Sequence, residues 1–181
     1  GNADGVHTRA NVLGPWIEGC TIEGLGDDGI AIYTKAVYIQ EAPRPDTLVL
    51  GKEFFNLQPG DEICVWNPRR GELRAGGLTV KTVEAAAAGA SRVTIEPPLS
   101  FTPETGGAGI SNDQVFNRSR NNGLFMVRSN HVRSIRRYGI VIRGVNGVVE
   151  GNRFEGCSSA GIMVRNEPVF WRNGLYSSGL L

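Results

Sequence analysis

The stretches "SNHVRSIRRYGIVI" (residues 129–142) and "GNRFEGCSSAGIMV" (residues 151–164) decide the fold, because one superimposes on the other without a gap. Each has an asparagine in second position, an apolar residue two places later, and a glycine before its final apolar run. The offset between the two copies is 22 residues. A repeat of this length predicts stacked structural units rather than one irregular domain.

Two further copies lie near the start of the sequence. "CTIEGLGDDGIAI" (residues 20–32) keeps the apolar and glycine positions, and "NADGVHT" (residues 2–8) places Gly5 on Gly29 at an offset of 24. The apolar runs are short and β-branched, which favours strands over leucine-rich repeats, and the recurring asparagine predicts a ladder of stacked turn residues. We therefore predict an all-β fold, a short right-handed parallel β-helix whose coils stack about 4.8 Å apart.

The repeat is interrupted in the middle of the chain. "LQPGDEICVW" (residues 57–66) combines a Pro-Gly turn with alternating residues, and "GGLTVKTV" and "SRVTIEPPL" read as further antiparallel strands. "EAAAAGA" (residues 84–90) is expected to be a loop or a short helical turn. We predict a small antiparallel β-barrel or sheet over residues 48–99, inserted between β-helix coils formed by residues 1–47 and 100–181.

Composition excludes several function classes. With 19 basic and 18 acidic residues the net charge is only +1, which argues against a nucleic-acid partner, and no apolar run approaches the length of a membrane span. The three cysteines lack CxxC spacing, so we expect buried free thiols rather than a zinc site or a disulfide framework. Trp16 and Trp66 are expected to pack in the core or the barrel.

Three aspartates stand out in the aligned coils. Asp4 and Asp28 occupy the same position, immediately before Gly5 and Gly29, and Asp27 is the neighbour of Asp28. Taken singly, "NADG" and "GDDG" are ordinary Asx turns, but their register on successive coils favours convergence on one face, with the glycines re-aiming the side chains. Clustered carboxylates suit glycosidic bond cleavage, in which one carboxyl protonates the leaving oxygen and another activates water. Their mutual repulsion would keep one of them protonated.

The order of these motifs resembles a known family. "NADGVH" followed by "GDDGI" is similar to the signature of the polygalacturonase-like β-helix hydrolases, although their "GHG" and "RIK" segments are missing. A closer resemblance is to the α-1,3-galactosidases of glycoside hydrolase family 110. It rests on "NADGVH", "GLGDD", an inserted "GDEI" barrel and the late segment "GIMVRNEPVFW" (residues 161–171), and it covers essentially the whole chain.

The resemblance to family 110 implies an inverting exo-hydrolase that removes terminal α-linked galactose and needs no metal or other cofactor. It implies that Asp27 is the general acid, that Asp4 and Asp28 hold the water as base, and that Glu167 and Trp171 lie near the sugar. Inversion predicts carboxyl groups about 6.5–9.5 Å apart. The resemblance also favours a secreted or periplasmic location. His7 and Arg128 are further candidates for binding the carbohydrate.

The sequence departs from that family at both ends, since the family has coils before "NADG" and more coils and domains after "FW". Either a fragment or a naturally shortened relative is therefore expected, with an open first coil through which it could form a homo-oligomer. The alternative to a hydrolase is a non-catalytic β-helix that acts as a carbohydrate-binding or structural module. A lyase or epimerase on the same fold is a third option, but it lacks a clear set of basic or calcium-binding residues.

Overall fold

The computed structural model describes residues 3–51, 57–106 and 111–165 of the 181-residue chain. Within these ranges the regular elements are sixteen strands and one 3-10 turn at Ala87–Gly89, which confirms the short turn expected there. In chain order the strands are β1 (Val6–Arg9), β2 (Trp16–Glu18), β3 (Thr21–Glu23), β4 (Ile30–Tyr33), β5 (Val37–Arg44), β6 (Thr47–Leu50), β7 (Glu62–Asn67), β8 (Glu72–Ala85), β9 (Ser91–Glu96), β10 (Gln114–Asn117), β11 (Met126–Arg128), β12 (His131–Arg133), β13 (Ile140–Arg143), β14 (Val148–Glu150), β15 (Arg153–Glu155) and β16 (Ile162–Val164).

The strands form two compact units. The first runs to Thr34 and resumes at Arg120, and the second covers the described residues between Lys35 and Ser119. No helix among the described residues has the length and apolar character needed to cross a bilayer.

The first unit consists of three small parallel sheets with a stacked register, in the manner of a β-helix. Their strand orders are β1-β4-β13-β16, β14-β11-β2 and β15-β12-β3. The predicted alignment is confirmed, because Ile30 pairs with Ile140 and Ile140 with Ile162. The fully buried side chains of Ile30 and Ile140 form a core with other isoleucine, valine and phenylalanine residues of this unit, whereas Ile162 is 45 % exposed.

The recurring asparagine forms the predicted ladder. The Nδ2 of Asn130 donates to Oδ1 of Asn152 at 2.9 Å and to the carbonyl of Ile17 at 3.0 Å, while its Oδ1 accepts the backbone N–H of Cys20 at 2.9 Å. Asn130 is buried, so these bonds satisfy polar groups that would otherwise cost free energy in the core.

The repeated glycine is required because the coils approach each other closely at that position. A Cβ on Gly29 would lie 2.5 Å from the carbonyl oxygen of Gly139, and a Cβ on Gly139 would lie 2.5 Å from that of Gly161. Gly29 is not among the glycines with positive φ. We call Gly29, Gly139 and Gly161 the glycine column. Its role is to allow close stacking of the coils, whereas the sequence suggested that these glycines change the direction of the neighbouring carboxylates.

Gly29→Ala is expected to lower the free energy of unfolding by about 1–3 kcal/mol, the usual cost of overpacking, because a backbone oxygen cannot move aside as a side chain can. Urea unfolding followed by circular dichroism measures this. Gly76→Ala is the matched control, since its Cβ would meet no atom closer than 3.9 Å. Equal effects of the two substitutions would contradict the steric explanation.

The second unit is a closed antiparallel barrel with the strand order β10-β5-β6-β9-β8-β7. Its apolar core includes Ile39, Leu48, Ile63 and Val115, all fully buried. The insertion was expected over residues 48–99, but the barrel also contains β5 and β10 and so extends from Val37 to Asn117.

A polar cluster is buried within this unit. Asp113 is 0 % exposed, and its Oδ2 accepts hydrogen bonds from Arg74 Nη1 at 2.5 Å and from the backbone N–H of Glu104 at 2.9 Å. Its Oδ1 accepts a hydrogen bond from Asn67 Nδ2 at 2.8 Å. The guanidinium of Arg74 lies 4.0 Å from the ring centroid of Phe101. The buried carboxylate is thus paired and fully hydrogen-bonded.

The three cysteines are free. Cys64 is buried, as expected, and burial raises the pKa of its thiol to about 11. Cys20 is exposed, so the expectation of a buried thiol is wrong at that position. Cys64 contacts Ala36 and Phe116 in a small cluster against which Trp66 packs, in line with the packing role expected for Trp66.

Candidate functional site

Asp4 and Asp28 are brought together by the register of β1 and β4. Val6 pairs with Ile30, which places Asp4 directly over Asp28. Oδ1 of Asp4 accepts the backbone N–H of Asp28 at 3.1 Å, and Oδ1 of Asp28 accepts that of Tyr138 on the next coil at 3.2 Å. Asp4 and Asp28 therefore each accept a backbone hydrogen bond from the neighbouring coil. Both also contribute to a cluster of carboxylates.

Asp27 completes that cluster. One carboxylate oxygen from each of Asp4, Asp27 and Asp28 can be chosen so that all three lie within 4.8 Å of one another. The predicted convergence is therefore present. These nearest oxygens are closer than the spacing of about 6.5–9.5 Å that inversion led us to expect.

Asp28 is the most buried member of the cluster, with 9 % of its surface exposed. Burial raises the pKa of its carboxyl above the ordinary 3.8, and the charges of Asp27 and Asp4 act in the same direction. The Tyr138 N–H and the positive charge of Arg137 oppose that rise without cancelling it. Asp28 thus holds its proton to a higher pH than an ordinary aspartate does.

Asp27 has a different environment. Its Oδ1 accepts a hydrogen bond from Nη1 of Arg137 at 2.8 Å, and about 40 % of the Asp27 side chain is exposed. The guanidinium of Arg137 also lies 5.6 Å from the ring centroid of Tyr138. Asp27 is thus ion-paired and partly exposed whereas Asp28 is buried, so the two neighbouring aspartates lie in contrasting surroundings.

His7 connects Asp4 to two residues of the same sheet. Its Nδ1 lies 2.6 Å from Oδ2 of Asp4, and its Nε2 lies 2.6 Å from the hydroxyl of Tyr33. Arg9 donates to the Tyr33 hydroxyl at 2.7 Å. Both ring nitrogens of His7 are engaged, so a hydrogen bond from His7 to a sugar would have to displace one of these partners.

Arg128 lies on a different sheet from β1 and β4. Its Nε donates to Oε1 of Glu18 at 2.8 Å, and its Nη1 lies 3.6 Å from Oε1 of Glu150. The three residues are in register on β2, β11 and β14, where their side chains form an outward-facing row. Arg128 is thus committed to ion pairs on that row.

Trp16 is 70 % exposed, so the expectation that it packs in the core is wrong. It precedes the inward-facing Ile17 on β2 and therefore points outward. Its indole N–H donates to Oε2 of Glu18 at 3.0 Å. The predicted sugar-contacting residues Glu167 and Trp171 lie outside the described residues.

Within the part of the chain that the structure describes, Asp4, Asp27 and Asp28 form the group of carboxylates that could hold a cation. Oxygen ligands of this kind suit calcium or magnesium. Arg137 already supplies a positive charge to Asp27, however, and so reduces the attraction of the cluster for a cation.

Sequence reasoning missed three side chains of the site, namely Arg9, Tyr33 and Arg137. The repeat alignment contained a signal for each of them. The offset that pairs Ile30 with Ile140 also aligns Asp27 with Arg137 on the neighbouring coil. The offset of 24 residues aligns Arg9 with Tyr33 in the same way.

The chain matches no protein-family model, and a search of curated proteins likewise finds no match.

Proposed function

We propose that this chain is a glycoside hydrolase-like protein that cleaves a glycosidic bond with Asp4, Asp27 and Asp28. The observation that carries the proposal is the convergence of these three carboxylates, from two successive coils, to within 4.8 Å. The proposal includes a right-handed parallel β-helix of the polygalacturonase-like type, with the resemblance to family 110 described above.

The chemistry requires one protonated and one charged carboxyl. The protonated carboxyl gives its proton to the glycosidic oxygen as the bond to the anomeric carbon breaks. A carboxylate takes a proton from the water that attacks that carbon, so the products are the free sugar and the alcohol of the leaving group. The raised pKa of the buried Asp28 suits the protonated role, and Asp27, which accepts a hydrogen bond from Arg137, is the neighbouring carboxyl proposed for the other role.

The division of roles can be argued in two ways. The family resemblance makes Asp27 the general acid. The raised pKa of Asp28 instead supports Asp28 as the carboxyl that carries the proton, with Asp4 and Asp27 placed to bind the attacking water and take its proton. We propose the second division, because it follows from burial and from the position of Arg137.

The substrate class comes from the resemblance and remains part of the proposal. It is a terminal α-linked galactose on a glycan, with Glu167 and Trp171 next to the sugar. An exposed tryptophan ring stacks well on the apolar face of a pyranose, and galactose presents such a face.

The wild-type chain is expected to hydrolyse aryl α-galactosides and α-1,3-linked galactose disaccharides. Asp27→Asn is expected to lower kcat by about 100-fold, the lower end of the range for an acid–base group. Release of galactose is measured enzymatically, and proton NMR of the first-formed anomer reports inversion or retention. Turnover that is indifferent to the substitution would refute the assignment.

The same samples test the alternative of a carbohydrate-binding module. The outward-facing, 70 % exposed Trp16, whose indole is oriented by Glu18, is the observation that favours it. Glycan binding detected by tryptophan fluorescence, without any turnover, would favour this alternative over hydrolysis.

A further inference from the structure

A continuous chain of hydrogen bonds extends from the aspartate cluster along the sheet formed by β1 and β4. It passes from Asp4 through His7 to the hydroxyl of Tyr33, with Arg9 at its far end. The two bonds made by the His7 ring are both 2.6 Å long. The ring of Tyr33 also meets that of His7 edge to face, with 4.8 Å between their centroids.

The direction of these bonds follows from the chemistry of Arg9. A guanidinium only donates, so the Tyr33 oxygen accepts from Arg9. The same Arg9 Nη2 lies 3.3 Å from Nε2 of His7, which makes that nitrogen an acceptor as well. The O–H of Tyr33 is then the donor in its 2.6 Å bond to Nε2. Burial raises the pKa of Tyr33, so the phenol keeps the proton that it donates.

One tautomer of His7 satisfies this arrangement, the neutral ring that carries its proton on Nδ1. That N–H donates to Oδ2 of Asp4, while Oδ1 of Asp4 accepts the backbone N–H of Asp28. The carboxylate of Asp4 is held at both oxygens, and its orientation toward Asp27 and Asp28 is fixed. The remaining lone pairs on its oxygens are available to accept a proton or a hydrogen bond from water.

We propose that Tyr33 is a positioning residue for hydrolysis, which acts through the His7 tautomer to orient Asp4 toward the attacking water. This inference depends on the proposed function for its catalytic consequence. Its structural part, the tautomer of His7, can be measured whether or not the protein turns over a substrate.

The first experiment compares the wild type with Tyr33→Phe, which removes the hydroxyl and keeps the ring. The sequence has only two histidines, so nitrogen-15 NMR of labelled histidine resolves each ring. The wild type is expected to show His7 protonated on Nδ1, and the variant to show a mixture of tautomers. We expect kcat to fall about 10- to 100-fold with KM unchanged, the loss typical when an orienting partner is removed. Tyr38→Phe in the barrel is the control, and it should leave both measurements unchanged.

A double-mutant cycle tests whether Tyr33 acts through His7. An asparagine at position 7 can donate its amide N–H to Asp4 without help from Tyr33, so Tyr33→Phe should cause no further loss of kcat in the His7→Asn protein. Additive losses, or a wild-type His7 protonated on Nε2, would overturn the inference.

The outcomes also separate this inference from the proposed function. Hydrolysis that is abolished by Asp28→Asn but is insensitive to Tyr33→Phe would overturn the positioning role and leave the proposed function intact. A wild-type protein without any hydrolytic activity would overturn the proposed function and the catalytic role of Tyr33 together.

Discussion

Asp28→Asn is expected to lower kcat for glycoside hydrolysis by about 10³- to 10⁴-fold, near the upper end of what a general acid contributes. The same substitution is expected to make the folded protein more stable at neutral pH. A residue that served only as a structural cap would not give this combination, because asparagine can keep the hydrogen bond to Tyr138 and kcat would then be unchanged.

The gain in stability follows from the raised pKa of Asp28. Because the folded state holds this proton more tightly than the unfolded state, stability falls as the pH rises from the ordinary pKa of 3.8 through the raised folded value. Above that pH range Asp28 is charged in the folded state as well, and burying its charge lowers the free energy of unfolding by the full amount. An asparagine has no charge to bury, and its Oδ1 can still accept the Tyr138 N–H.

Thermal unfolding between pH 3 and pH 8, alongside kinetics on an aryl α-galactoside, measures both effects. The variant should melt above the wild type at pH 7, and the difference should vanish at a pH below the ordinary pKa. Asp27→Asn is the matched control, since this exposed side chain should lose activity without any gain in stability. A lower melting temperature for Asp28→Asn at pH 7 would instead make Asp28 a structural residue.

Arg74→Met is expected to destabilise the barrel by about 3–5 kcal/mol, the cost of leaving a buried charge without its partner. Asp113 is fully buried, and Arg74 is its cationic partner at 2.5 Å. Methionine keeps an aliphatic stem beside Phe101, so the loss of charge rather than of packing is measured.

Urea unfolding of the variant is compared with that of Lys81→Met. Lys81 pairs with Glu96, but both side chains are more than half exposed, and such a pair contributes only about 0–1 kcal/mol. The double variant Arg74→Met/Asp113→Asn should recover much of the lost stability, because no unpaired charge remains. If Arg74→Met and Lys81→Met cost the same, the buried pair would not be the stabilising feature that we infer.

The coils were predictable because their signal is local and repeated. A β-branched residue paired with its equivalent on the next coil, as Ile30 pairs with Ile140, leaves the same pattern in each copy. The position of Asp4 over Asp28 followed from that pattern. The sequence did not reveal how deeply each carboxylate is buried, because burial depends on packing between coils that are 110 residues apart in the chain, although the same offset does place Arg137 beside Asp27.

The limits of the barrel were harder to predict for a physical reason. β5 follows the coil strand β4 after only three residues, and its apolar start, "VYI", continues the composition of that strand. A change from parallel to antiparallel pairing leaves no mark on one strand, since side chains alternate in both. Composition alone therefore does not separate β5 from the coils.

The glycine column has a consequence for how the length of this chain can change. A single residue inserted within a coil would move a side chain onto a position where a neighbouring carbonyl oxygen leaves room only for hydrogen, and would turn the inward isoleucines outward. By contrast, the barrel is inserted into the chain as a complete domain between the coil strands β4 and β11, and Ile30 still pairs with Ile140. Deletions and insertions are thus tolerated as complete coils or complete domains at the turns, and single-residue frameshifts within a coil are not.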